Sequence, residues 1–118
     1  MPLAYDRFDV LTFDCYGTLI DWETGLATAL RAALPGLAGV PDDALLEDYG
    51  RHEAAAEAGP YLSYREVLRA GLRGVAADRR VDVAEDALER FGESVRDWPA
   101  FPDSAEALRR LQAQFRLG

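Results

Sequence analysis

Asp14 stands at the carboxyl end of an apolar run, Phe8-Asp9-Val10-Leu11-Thr12-Phe13, and is followed by Cys15-Tyr16-Gly17-Thr18. Gly17 lets the backbone curl, so that successive N–H groups can converge on an anion. The Thr18 hydroxyl, four residues on, can reach back and fix the Asp14 rotamer. A carboxylate fixed in this way can act as a nucleophile and form an ester with its substrate. The same spacing equally suits an ordinary strand-end turn in which Asp14 satisfies loop amides.

The elements around this turn follow from the apolar pattern. Residues 8–13 are nearly continuously apolar and rich in β-branched and aromatic types, the pattern of a buried parallel strand. Asp21 can cap a helix reaching about Leu34, closed by Pro35-Gly36. Pro41-Asp42-Asp43 opens a second helix with acids in its first turn, ended by Gly59-Pro60. Ser63 and Glu66 have capping-box spacing and start a third helix, which weakens around Gly74. A fourth is expected over Val83 to Asp97, with Ala84, Leu88, Phe91 and Val95 on one stripe. After Pro99 and Pro102, Asp103 and Glu106 form another capping-box pair, opening a helix with Leu108 and Leu111 on one face. Phe115 to Gly118 reads as the start of a second strand. A buried-type strand needs neighbours on both edges and cover on both faces, and this chain supplies at most one neighbour. The core half is therefore expected to be incomplete.

Composition narrows the function classes. The chain has 118 residues, 49% of them hydrophobic and 29% charged, which suits a globular domain or part of one. Its net charge of −8 argues against nucleic-acid and anionic-membrane partners. No apolar run is long enough for a membrane helix, and the N-terminus has no secretory pattern. A single cysteine cannot staple a fold and points to a reducing compartment, here the cytoplasm. The chain contains no lysine and no asparagine, so no mechanism needing either side chain is complete within it.

The stretch Phe8 to Leu19 resembles the first motif of the haloacid dehalogenase (HAD) superfamily. Its Asp-x-Tyr-Gly-Thr form is similar to the L-2-haloacid dehalogenase branch. The helical segment after it resembles that branch's cap domain, and Phe101-Pro102-Asp103-Ser104 with its helix resembles the return to the core. The resemblance implies an α/β, HAD-like (Rossmann-type) core fragment with an inserted α-helical cap, the N-terminal half of a family member. Residues 1–20 would form the first core strand and nucleophile loop, 21–98 the cap, and 99–118 the return helix and the start of the second strand.

Carried over by position, the resemblance makes Asp14 the nucleophile that displaces halide from a small 2-halocarboxylic acid. Water would then cleave the aspartyl ester. Thr18 would support the carboxylate, the backbone at Cys15 and Tyr16 would line the substrate site, and Trp22 would wall the pocket or pack in the core. Tyr16 separates the branches. The superfamily's Mg²⁺-dependent phosphatases place a general-acid aspartate there, and a tyrosine, with an ordinary pKa of about 10, cannot replace it near neutral pH. The resemblance thus implies no metal and no cofactor, with a Mg²⁺-dependent phosphatase as the alternative.

The family also uses a Ser/Thr-Asn pair, a lysine and further acids that these 118 residues lack, so the chain alone is expected to be inactive. The cap arginine that the branch uses for substrate or halide is not in register, Arg51 being the nearest. A rival from another class is a truncated, non-catalytic helical module. It would pair through its unfinished sheet edge with a second copy or a complementing chain.

The remaining polar residues have plainer explanations. Cys15 reads as a small apolar neighbour and His52 as a surface residue without a partner. Asp42-Asp43 and Glu47-Asp48 read as helix N-terminal acids and a solvated face. Trp98 beside Pro99 marks a hinge between cap and core, and nothing in the spacing requires Tyr61 or Tyr64 to face a substrate.

Overall fold

The computed structural model describes residues 2–118. The backbone divides into two compact units, one running to Trp22 and resuming over Pro99–Gly118, the other formed by Glu23–Trp98.

The helices of the larger unit follow local chemistry closely. Helix α1 (Trp22–Ala33) has Glu23 in its first turn and Arg31 in its last, both matching the helix dipole. It stops before Leu34-Pro35, because proline disfavours helical backbone in the residue ahead of it; Leu34 sits at φ −128°. Helix α2 (Asp42–Glu57) starts from Pro41 with Asp42 and Asp43 in its first turn. Helix α3 (Tyr64–Asp78) carries the expected capping box. The Glu66 N–H donates to Ser63 Oγ at 3.3 Å, and the Ser63 N–H donates to Glu66 Oε2 at 3.1 Å.

Helix α3 does not weaken at Gly74 but continues to Asp78. The glycines have a different purpose: a Cβ at Gly71 would overlap the Tyr49 ring, and one at Gly74 would overlap the His52 ring. Their absence of side chains lets α2 and α3 approach closely. Helix α4 is shorter than the apolar stripe suggested, ending at Gly92 (Glu85–Gly92), with a 3₁₀ turn over Ser94–Asp97. Trp98 ends this unit with its ring buried against Gly25.

Every buried apolar side chain among the described residues lies between Leu26 and Trp98. Leu26 and Leu30 of α1, Leu45 and Tyr49 of α2, Leu68, Leu72 and Val75 of α3, and Leu88 and Phe91 of α4 form this core. Tyr49 and Phe91 meet edge to face, with centroids 6.0 Å apart, a favoured aromatic geometry.

The smaller unit holds strands β1 (Val10–Leu11) and β2 (Arg116–Leu117) and helix α5 (Ser104–Gln112). The strands pair in parallel, Val10 opposite Arg116 and Leu11 opposite Leu117, the only sheet among the described residues. The expected strand of residues 8–13 is thus reduced to two paired residues and is not buried, with Phe8 51% and Val10 45% exposed. The physical reason is that one short neighbour supplies neither a second edge nor cover for the faces. The Asp103–Glu106 capping box does not form either. Asp103 caps α5 without a side-chain bond, in helical backbone at φ −95°, ψ −8°.

Candidate active site

Asp14 lies three residues beyond β1 and is exposed. Its Oδ2 accepts a hydrogen bond from Thr18 Oγ1 at 3.0 Å, the contact expected from the four-residue spacing. Between them the chain makes a tight turn. The N–H groups of Thr18, Leu19 and Ile20 all point at the Cys15 carbonyl, at 3.2, 2.8 and 3.0 Å, and the Gly17 N–H donates to the Ile20 carbonyl at 2.8 Å. Gly17 sits at φ +87°, a left-handed conformation that costs an L-residue roughly 1–2 kcal/mol. The turn itself therefore engages the amides from Gly17 to Ile20. Any convergence of N–H groups on an anion is confined to residues ahead of the glycine.

The other expected site residues gather around this turn. Tyr16 is exposed and bridges to Ile20. The half-buried Trp22 lays its indole over Gly17, where a Cβ would stand 3.4 Å from Nε1. Trp22 thus packs against the loop itself. Cys15 is a free, exposed cysteine and not a packed apolar neighbour. Among the described residues, no group of three or more His, Cys, Asp or Glu side chains is arranged to hold a metal ion.

The return segment fastens the turn from its far side. The Asp21 N–H donates to the Pro99 carbonyl at 2.8 Å, Ile20 bridges to Ala100, and the Phe101 N–H donates to the Leu19 carbonyl at 3.1 Å. Ser104 Oγ donates to that same Leu19 carbonyl at 2.7 Å. Sequence reasoning assigned Ser104 only to the return segment. Its one sequence signal was a serine at a helix start where the capping role had been given to Asp103.

The helical unit holds the remaining candidates. His52 is not a surface residue without a partner: its side chain is only 23% exposed and its Nε2 lies 2.7 Å from Asp78 Oδ2. Arg51, the nearest candidate for a cap arginine, is bonded to Asp48 at 2.8 Å and lies 3.8 Å from Asp78. Arg79 meets the other Asp48 oxygen at 2.9 Å. The Arg51 bond, with help from Arg79 and against partial burial, holds the Asp48 carboxyl below the usual aspartate value. These residues join α2 to α3 as an ion-pair network. Tyr61, Tyr64, Glu57, Pro60, Leu62 and Val67 line a cavity of about 350 Å³.

No family model matches the chain, and no curated protein matches it. Solved structures do. The L-2-haloacid dehalogenase from Xanthobacter autotrophicus superposes with a TM-score of 0.72 at 22% identity, over 93% of this chain and 44% of that one. The defluorinating L-2-haloacid dehalogenase Rha0230 gives 0.74 at 21% identity, over 94% and 49%. The L-2-haloacid dehalogenase PA0810 gives 0.74 at 22%, over 93% and 50%. The chain spans about half the length of the structures it matches. Nearly all of its own length is covered, so this chain has the haloacid dehalogenase fold, over about half the extent of the L-2-haloacid dehalogenases.

Proposed function

We propose that Asp14 is the nucleophile of a metal-free dehalogenation of a small 2-halocarboxylic acid, performed by a polypeptide longer than these 118 residues. The observation that carries this reading is the 3.0 Å bond from Thr18 Oγ1 to Asp14 Oδ2 just past the end of β1, which leaves an exposed carboxylate in one rotamer. An Asp14 oxygen attacks the halogen-bearing carbon, the carbon–halogen bond breaks, and the electron pair leaves with halide. Water then cleaves the aspartyl ester, giving the 2-hydroxy acid, a proton and the free carboxylate. The Xanthobacter autotrophicus enzyme has also been solved with chloropropionic acid covalently bound, which supports a covalent route. Cys15, Tyr16 and Trp22 line the substrate site in this scheme, and residues 21–98 serve as its cap. The lysine and asparagine that the family uses come from sequence outside these residues. Tyr16 in place of an aspartate disfavours the Mg²⁺-dependent phosphatase reading.

The test is halide release from L-2-chloropropionate by the full-length protein and its Asp14→Asn variant. Loss of turnover by roughly a thousandfold or more in the variant supports the nucleophile. Undiminished turnover sinks it, and Mg²⁺-dependent phosphate release from p-nitrophenyl phosphate would favour the phosphatase instead. The 118-residue chain alone is expected to release no halide. That chain is expected to pair through the open edge of β1, and its single cysteine suits a cytoplasmic setting.

A further inference from the structure

We propose that Ser104 is a positioning residue for the Asp14 loop, acting through the Leu19 carbonyl. Ser104 is the sole buried residue among those described in the smaller unit, 6% exposed. It is polar where burial normally selects apolar side chains. Its hydroxyl does not cap its own helix, although Ser104 is the first residue of α5. It donates instead, at 2.7 Å, to a carbonyl 85 residues away in sequence.

The route from Ser104 to Asp14 runs through two rigid peptide planes. The Leu19–Ile20 peptide is held at both ends. Its oxygen accepts from Ser104 Oγ and the Phe101 N–H, and its N–H donates to the Cys15 carbonyl at 3.0 Å. The Cys15 carbonyl receives two further N–H groups, from Thr18 and Leu19. A trans peptide is planar, so fixing the Cys15 oxygen also fixes the plane shared with the Tyr16 nitrogen. That plane begins one residue after Asp14, and Thr18, whose hydroxyl holds the Asp14 carboxylate, is one of the three donors. Linked hydrogen bonds of this kind reinforce one another. Removing the Ser104 hydroxyl leaves the Leu19 oxygen with the Phe101 bond alone. The first plane can then tilt, and the second with it.

The catalytic meaning of this clamp rests on Asp14 being the nucleophile; the clamp itself is measured independently. The experiment is amide hydrogen exchange and carboxyl-¹³C NMR on the 118-residue chain, comparing wild type, Ser104→Ala and Ser104→Thr. The Asp14 carboxyl resonance is assigned by its loss in Asp14→Asn. In Ser104→Ala, the Thr18, Leu19, Ile20 and Phe101 amides should exchange about five- to tenfold faster, the effect of one lost hydrogen bond. The Asp14 resonance should move, while amides of α2 and α3 stay unchanged and serve as the folding control. Ser104→Thr, which keeps the hydroxyl, should restore both signals. Unchanged loop exchange and an unmoved Asp14 resonance in Ser104→Ala would overturn the proposal. So would a Ser104→Thr variant that behaves like Ser104→Ala. A moved resonance combined with undiminished turnover in full-length Asp14→Asn upholds the clamp and removes only the nucleophile reading.

Discussion

Thr18 touches Asp14 through its hydroxyl, and a valine of nearly the same shape would keep the packing while losing the bond. One such hydrogen bond is worth about 1 kcal/mol. On the proposed reading of Asp14 as the nucleophile, Thr18→Val in the full-length protein is expected to slow dehalogenation roughly five- to tenfold, with Thr18→Ser close to wild type. Halide-release kinetics on the two variants check this, and equal rates for Thr18→Val and wild type would remove Thr18 from the site. Gly17 is the second residue with a sharp expectation. At φ +87°, Gly17→Ala is strained by its backbone, while the added Cβ would stand at ordinary contact distance, 3.4 Å, from the Trp22 indole. Its effect belongs in the exchange rates of Thr18, Leu19 and Ile20, because the turn carries almost no apolar core that a global melt would report. This residue-scale geometry was legible in the sequence, since a glycine between a carboxylate and a hydroxyl four residues apart implies a tight local turn. The Ser104 bond was not, because nothing local to Leu19 or Ser104 brings them together.

At the scale of elements, α2 and α3 carry the balance of the helical unit. Tyr49 is 1% exposed, and its hydroxyl has no hydrogen-bond partner among the described residues. Burial, followed by the nearby Glu53, pushes its pKa well up, so it stays neutral. A buried unpaired hydroxyl costs about 1–3 kcal/mol. Tyr49→Phe is therefore expected to stabilise the protein by about 1 kcal/mol in denaturant titrations, and a destabilised variant would reveal a partner for the hydroxyl. Asp48 shows the opposite economy. Its folded-state pKa lies below the usual aspartate value, so its contribution is present above about pH 3.8 and is lost as the pH falls through the lowered value. Wild type should exceed Asp48→Asn in stability at neutral pH, and the two should converge in strong acid. Added salt should narrow the gap as well, since these groups are partly exposed. The starts of α1, α2, α3 and α5 and the Ser63 cap were readable from spacing, while α4 begins at Glu85, two residues after the expected Val83. The early end of α4 was not, because an apolar stripe continues through a 3₁₀ turn as readily as through a helix. The Asp103 cap failed for a related reason: capping requires extended backbone at the cap residue, and Asp103 is helical.

At the scale of the whole molecule, apolar burial is lopsided. Among the described residues, all buried apolar side chains lie between Leu26 and Trp98, while Phe8 and Val10 remain about half exposed. The Phe13, Arg116 and Gly118 amides, bonded across the strand pair, should therefore exchange orders of magnitude faster than the amides of α3. The open strand should also drive association. Sedimentation velocity over a range of concentrations is expected to show self-association of the 118-residue chain, reduced in Val10→Lys, which places a charge on the edge. A chain that stays monomeric throughout would show that its edge needs no partner.

The amino-acid pattern by itself determined the order of strand, helices and strand, the Asp14–Thr18 turn and the resemblance to the haloacid dehalogenases. All of these are local: they depend on residues within a few positions of each other, on turn chemistry and on period. Tertiary structure alone decided which groups met across long separations. It brought Ser104 to Leu19, His52 to Asp78 and Arg79 to Asp48, and it made Gly71 and Gly74 contact points between helices and not breaks. Such pairs depend on how close two backbones come, and helix periodicity contains no term for that distance. The same holds for β1, whose residues read as buried but lie exposed at Val10 and half-buried at Leu11, because burial depends on the neighbours a strand has as well as on its own side chains.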